Sequence, residues 1–373
     1  MTKQKLIPLA LLATLTLCPF LQDAESSTKD TFDNIWGYAT LYSNKDNAFL
    51  QKLAFTGRLQ YDYSHVDDDD LGDWDGWTWR RARAGFKATV FQDFTVHVES
   101  DLNVETADPL HNKLTDAYVG WKSDTGWGIK VGKQSAGFTL DGATSSKSLI
   151  TTERSKLNEN VWFTSEYFTG VSVSGDSGEW SYFVGIFSND NGDEFENVGD
   201  AGIFGLASVG YDFGPGLNVD KALLRLDYVK NEESNLSGTK ALGDVVSLNG
   251  QYDNDRWHLW ADLSWAGAFN GNDIWGFEIM PFFDINETFQ LVAQYTYVNS
   301  SDPNGLSIGR YEREVASGRG DRIEVLYFGL NTYIYGHKLK WQNGFQLTEV
   351  KDSAADGGAF SGYGFTSAIR LSW

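Results

Sequence analysis

From residue 53 to the C-terminus the chain changes chemical character at every second position. In LAFTGRLQYDYSH (53–65), Leu53, Phe55, Leu59, Tyr61 and Tyr63 share one side of an extended backbone. Thr56, Arg58, Gln60, Asp62 and Ser64 share the other. FTVHVESDLNV (94–104) sets Phe94, Val96, Val98 and Leu102 against His97, Glu99, Asp101 and Asn103. RWHLWADLSW (256–265) sets Trp257, Leu259, Ala261, Leu263 and Trp265 against His258, Trp260, Asp262 and Ser264. A period of two with one apolar face describes a strand lying between two unlike environments.

Sixteen such segments begin near residues 53, 79, 94, 114, 127, 168, 180, 201, 222, 244, 256, 274, 289, 322, 339 and 363. Tight turns such as Gln92-Asp93, Asp253–Asp255 and Gly336–Lys338 alternate with mostly longer polar loops, 65–77, 188–200, 230–243, 299–321 and 351–362 among them. A soluble β-sandwich would also alternate, but it gains little from aromatics on the apolar face near strand ends. Trp79, Trp121, Trp127, Trp180, Trp257, Trp265, Trp275 and Trp341 suit the girdles of a membrane barrel. The last strand, YGFTSAIRLSW, alternates and stops on Trp373, which resembles the assembly signal of outer-membrane proteins. The expected fold is therefore all-β: a transmembrane antiparallel β-barrel of sixteen strands over 53–373, with an infolded constriction loop after strand five, about 135–166.

Residues 1–24 read as a secretory signal peptide: Lys3 and Lys5, an apolar run from Leu6 to Leu21, then polar sequence. Cys18 falls inside it, so the exported chain would hold no disulfide and no thiolate metal site. Residues 25–52 form an N-terminal periplasmic segment, in which DNIWGYATLYSN suits either a short helical turn or a linker. No later run of 18 apolar residues offers a transmembrane helix. A net charge of −21 argues against nucleic acid as a partner.

Against that acidity, WTWRRARAGFKATVF (77–91) gathers Arg80, Arg81, Arg83 and Lys87. Ala82, Ala84, Phe86, Ala88 and Val90 set the lipid face, so Arg81, Arg83 and Lys87 point into the barrel, and Arg80 belongs to the rim beside Trp79. At mid-depth on the lipid face each cation would cost about 2–4 kcal/mol, whereas a watery lumen tolerates them. With Arg58 on the preceding strand they would form a guanidinium column, a series of weak stations for an anion. The alternative is that they pair with lumen carboxylates such as Asp62, Glu99 or Asp101. The acidic runs 65–75 and 189–197 read as solvated outer loops and lack calcium-loop spacing.

The longest connection supplies Thr144, Ser145, Ser146, Lys147, Arg154 and Lys156, hydroxyls and cations that together suit oxyanions. The same hydroxyls could instead cap a short helix beginning near Ser145. His97 and His258 face inward by parity, and no Ser/His/Asp grouping is visible, so neither an enzyme nor a cofactor is expected.

GRLQYDY (57–63), WRRARAGFKATVF (79–91), LTDAYVGW (114–121) and GATSSK…TTERS (142–155) resemble the family of phosphate-selective porins O and P. The resemblance implies a sixteen-stranded, usually trimeric outer-membrane barrel with an arginine ladder and an infolded third loop. It would sit among lipids and lipopolysaccharide and pass small anions. Carried over by position, Arg58 and Arg81 belong to the ladder, and Ser145 and Ser146 to the constriction loop. Phosphate-specific members carry a lysine where this chain has Gly142 and a tyrosine where it has Arg83. The expectation is a passive channel for small hydrophilic solutes with an anion preference, phosphate among the candidates; the alternatives are a structural or surface-binding barrel with a blocked lumen and a non-selective or cation-leaning porin.

Overall fold

A computed structural model describes residues 25–162, 166–190, 194–196, 198–234 and 238–373; the expected signal peptide, 1–24, lies outside the described residues. The strands are β1 (Thr40–Ser43), β2 (Leu50–Asp68), β3 (Gly72–Val90), β4 (Phe94–Leu102), β5 (His111–Lys122), β6 (Gly128–Ser135), β7 (Tyr167–Ser177) and β8 (Trp180–Ser188). They continue as β9 (Ile203–Asp212), β10 (Lys221–Asn231), β11 (Leu242–Asn254), β12 (Trp257–Ala268), β13 (Ile274–Asp284), β14 (Phe289–Ser300), β15 (Arg322–Tyr335), β16 (Leu339–Lys351) and β17 (Phe360–Ser372). From β2 onward each pairs antiparallel with the next. β17 returns to β2, Gly362 opposite Asp68 and Ser372 opposite Arg58, which closes a barrel of sixteen strands.

Burial is inverted relative to a water-soluble protein. On β2 the polar Arg58, Gln60, Asp62 and Ser64 are buried, while Leu59, Tyr61 and Tyr63 between them are partly exposed. On β12, Leu259, Leu263 and Trp265 are exposed and Asp262 and Ser264 buried. An apolar exterior around a polar interior is what a closed barrel in hydrocarbon requires.

Three details differ from the sequence expectation. Residues 65–77 are largely not a loop: β2 runs to Asp68 and β3 starts at Gly72. Each of these strands has 19 residues, well beyond the ~9–11 needed to cross a bilayer. The acidic run is thus a paired ribbon, turned by Asp68, whose carboxylate accepts from the Asp70 and Leu71 amides. The second acidic run is not simply solvated either. Its Glu194 accepts from the Leu114 amide and pairs with Lys133 at 3.0 Å, while 191–193 and 197 lie outside the described residues.

The third concerns the long connection. Its helices are α2 (Leu140–Ala143), capped by Thr139, and α3 (Lys156–Val161), capped by Ser155; neither starts near Ser145. An N-cap needs its side-chain oxygen at the amide two or three residues on, and Thr139 and Ser155 reach Gly142 and Asn158.

At the end of the barrel that holds the short turns, residues Glu25–Gly37 form helix α1, one of the two forms, helical turn or linker, that the sequence allows. Phe32 and Trp36 from this helix pack on Tyr335. The Trp36 indole donates to the Ser372 carbonyl at 2.7 Å, and β1 pairs with the start of β2.

Candidate functional site

The connection between β6 and β7 folds into the barrel and is fastened around much of its inner wall. Asp227 and Asp262, on β10 and β12, accept from the amides of Thr139 and Leu140 at 3.1 and 2.7 Å. Asn331 and Gln342, on β15 and β16, donate to the Ile150 carbonyl at 2.8 and 2.9 Å, and Lys340 donates to that of Leu149. Arg370 on β17 donates to Thr152, and Gln60 on β2 donates to Ser146. Together these contacts satisfy backbone groups of the segment with inward side chains of the wall.

An apolar seat completes the attachment. Phe138, Leu157, Val161 and Trp162 of the segment join one buried cluster with Phe168, Phe187, Phe204, Val229, Val245, Ile274 and Val298. Those barrel residues interrupt the polar inner face. In WSYFVGIFS (180–188), Phe183 and Phe187 share the parity of small and polar neighbours, a signal that something apolar must cover them.

On β3 a bulge changes the expected parity. Gln60 pairs with Arg81 but Tyr61 with Trp79, so Arg80 is an extra residue. Arg80 therefore does not sit on the rim: it points inward and pairs with Glu153, one hydrogen bond measuring 2.8 Å. Burial works against the Glu153 carboxylate, but Arg80 and then Arg81 more than offset it, holding it well below the usual range.

The column forms, and the pairing with carboxylates forms with it. Arg58 and Arg83 stand directly opposite each other across β2 and β3. Arg58 donates to Glu99 at 2.8 Å and to the Ser146 hydroxyl at 2.6 Å. Arg83 pairs with Asp101 at 3.1 Å and donates to the Tyr167 hydroxyl at 2.6 Å. Arg81 donates to Gln60 at 2.9 Å and lies 3.9 Å from Glu166. Asp62 pairs with Arg370 on β17 instead of this column. Lys87 is exposed to the lumen and has no ion pair among the described residues.

Within the segment, Ser146 is buried under Arg58, and Ser145 is exposed. The Thr144 hydroxyl donates to Leu140, and Lys147 donates to the Trp373 carbonyl at 3.0 Å. Burial, and next the neighbouring Arg58, push the Lys147 ammonium down to about 8. Arg154 is buried and braces the segment from within, donating to Asp141, Thr144 and Glu166. Burial raises the Glu166 carboxyl, but Arg154 and Arg81 outweigh it and hold it at about 2.

Gly142 is a close-approach position. A Cβ there would lie 2.1 Å from the Trp162 indole, so no side chain, lysine included, has room.

What the segment leaves open runs along β3–β7. One cleft of about 440 Å³ is lined by Arg80, Arg81, Arg83, Lys113, Glu166 and Arg310 among others. A second, about 480 Å³, lies nearer the short turns beside Lys87, Tyr118, Lys122 and Lys130. Between them stand Arg58, Ser146, Lys147 and His97, the last 3.6 Å from Asp116. Gln60 and Asp262, which parity places toward water, do face inward but are only 1% and 3% exposed, covered by the segment.

The polar loop that the sequence places at 299–321 begins after Ser300 and is a second infolded connection, 301–321. Leu306, Ile308 and Tyr311 are buried; Tyr311 donates to Asp62 at 2.9 Å and stacks on Trp74. Its Ser307 is bonded to Asn160 of α3 in both directions, so the two connections support each other. The apolar spacing Leu306, Ile308, Tyr311 inside an otherwise polar stretch was the available signal.

Comparison with known proteins gives a consistent picture. The family model for phosphate-selective porin O and P matches residues 53–264, more than half of the chain. No curated protein matches at a significant level. Among solved structures, the chain resembles an anion-selective porin from Comamonas acidovorans (TM-score 0.61, 14% identity, 86% of this chain and 99% of that one). It also resembles OmpT of Vibrio cholerae (0.57, 15%, 89% and 100%) and OmpF of Salmonella typhi, in a complex with daunomycin (0.62, 14%, 90% and 100%). At such identities these structures speak for the fold, the antiparallel barrel.

Proposed function

The chain belongs to the family of phosphate-selective porins O and P and is an outer-membrane channel, and from that premise we propose that it passes small hydrophilic solutes by passive diffusion with a modest preference for anions. The infolded 136–166 segment acts as the constriction. Solutes travel the β3–β7 side, through the outer cleft, past Arg58, Ser146 and Lys147, and out beside Lys87 and Lys130.

One observation carries the anion reading. The carboxylates Glu99, Asp101, Glu153 and Glu166 along this path are each held by an arginine. Glu105, Asp116 and Asp176, also along it, have no arginine or lysine partner among the described residues, but they are outnumbered by Lys87, Lys113, Lys122, Lys130 and Arg310, which have no ion pair there either. The surplus facing water is therefore positive although the chain is acidic overall. Because the arginines are mostly paired, the preference is modest. Trp162 over Gly142 excludes the lysine of phosphate-specific members, so phosphate is one permeant among small anions.

In this reading residues 1–24 direct export and the barrel assembles as a homotrimer. Lipids and lipopolysaccharide surround its apolar face, and no chemical step occurs.

The test is the reversal potential of the purified protein in a planar bilayer under a KCl gradient. Chloride should carry most of the current, and Arg83→Ala, which frees Asp101, should move the potential toward the cation side. A wild-type potential on the cation side sinks the proposal.

A further inference from the structure

Arg310 lies on the 301–321 connection, far in sequence from the arginines of β3, yet it lines the same cleft as Arg81 and Arg83. Its neighbours fix it there. Ile308 is buried and Tyr311 is held by Asp62 and Trp74. At Gly309 a Cβ would lie 1.9 Å from the Glu312 carboxylate. Arg310 itself is half-buried and makes no hydrogen bond or ion pair among the described residues. A rigidly mounted guanidinium with its donors unspent, aimed into a polar cleft, is a recognition element without its ligand.

We propose that this outer cleft captures phosphate monoesters of small polyols, with the phosphate between Arg310 and Arg81 and the hydroxyls on Asn103 and Asn112. The proposal rests on the anion-channel reading. Charge supports it: Arg80, Arg81, Arg83, Lys113 and Arg310 outnumber Asp101, Glu105 and Glu166 in the lining, and a positive balance remains when Glu153, the partner of Arg80, is counted. Size supports it too. About 440 Å³ falls within the ~300–1,000 Å³ of small-molecule pockets, more than an inorganic anion fills. The carboxamides Asn103 and Asn112 add neutral donors and acceptors that an inorganic anion alone does not need.

The test is block of chloride current by glucose 6-phosphate and by inorganic phosphate, for the wild type, Arg310→Ala and Arg310→Lys. Glucose 6-phosphate should block the wild type at lower concentration than inorganic phosphate. Arg310→Ala should weaken that block about ten-fold, and Arg310→Lys should recover part of it. As Arg310 makes no hydrogen bond or ion pair among the described residues, both variants should keep wild-type heat stability on gels. An anion-selective wild type with equal block by the two phosphates, or with block unchanged in Arg310→Ala, overturns this proposal alone. A cation-selective, unblocked wild type overturns the anion reading with it.

Discussion

On the wall made by β10–β17 and the adjoining part of β2, inward side chains meet the backbone of the infolded segment: Asp227 and Asp262 at Thr139 and Leu140, Asn331 and Gln342 at Ile150, Arg370 at Thr152, Gln60 at Ser146. Across the lumen, on β3–β6, Arg80 and Arg81 reach Glu153 and Glu166 of the segment and Lys133 meets Glu194, but the other inward side chains end mostly on one another or in water. Arg83 meets Asp101, His97 meets Asp116, and Lys87 meets no carboxylate among the described residues. Both walls follow the same alternation and carry similar residue types. What separates them is whether another part of the chain lies opposite. Where one does, a polar lumen residue is a fastening; where none does, the same residue belongs to the path.

The sharpest way to break this contrast is chemical labelling. Lys87→Cys, on the open wall, should react readily with a water-soluble thiol reagent. Thr296→Cys, inward on β14 but beside residues 151–156, should react about 100-fold more slowly, because labelling needs a local opening. Equal rates would mean that the two walls are equally wet.

Removing a fastening should come next in effect. Asp262→Ala strips acceptors from the Leu140 amide and from Ser247 and Ser264, costing about 1–3 kcal/mol for each buried donor left unpaired. Single-channel recordings should show larger and noisier conductance as the segment loosens. An unchanged, quiet conductance would show that the apolar seat alone holds it.

A single methyl group separates the two sides further. Gly142→Ala would overlap Trp162 and should cost about 1–3 kcal/mol, lowering the temperature at which the barrel unfolds on a gel. Gly120→Ala, on β5, meets its nearest atoms at 3.6 Å and should stay within about 0.5 kcal/mol of wild type.

The smallest effect concerns Lys147. It is a cation below about 8 and neutral above, so the anion preference should decline between pH 7 and pH 9. One charge among several, screened over a Debye length, changes the permeability ratio by roughly a factor of two. In Lys147→Met the decline should vanish.

Alternation made the barrel legible because lipid and water impose opposite demands on neighbouring residues, and almost every strand obeys. It also placed Arg58, Arg81, Arg83 and Lys87 on the inner face. Alternation says nothing of what lies across a lumen, so Gln60 and Asp262 looked wet although loop residues cover them. Arg80 escaped because a bulge shifts the phase by one residue, and no propensity marks that insertion. The 65–77 ribbon was misread because aspartates disfavour strands in general, while a hairpin standing clear of the membrane can carry them.

The bond from Trp36 to Ser372 joins positions 336 residues apart and makes the two extremities of the chain neighbours. Its acceptor belongs to the last strand, and its ring partner Tyr335 to the end of β15. The Glu25–Gly37 helix thus gains its Tyr335 and Ser372 contacts only once these late strands are in place. Docking of this helix therefore spans both sides of the strand closure, and a chain truncated before β17 would lose the Ser372 acceptor of Trp36.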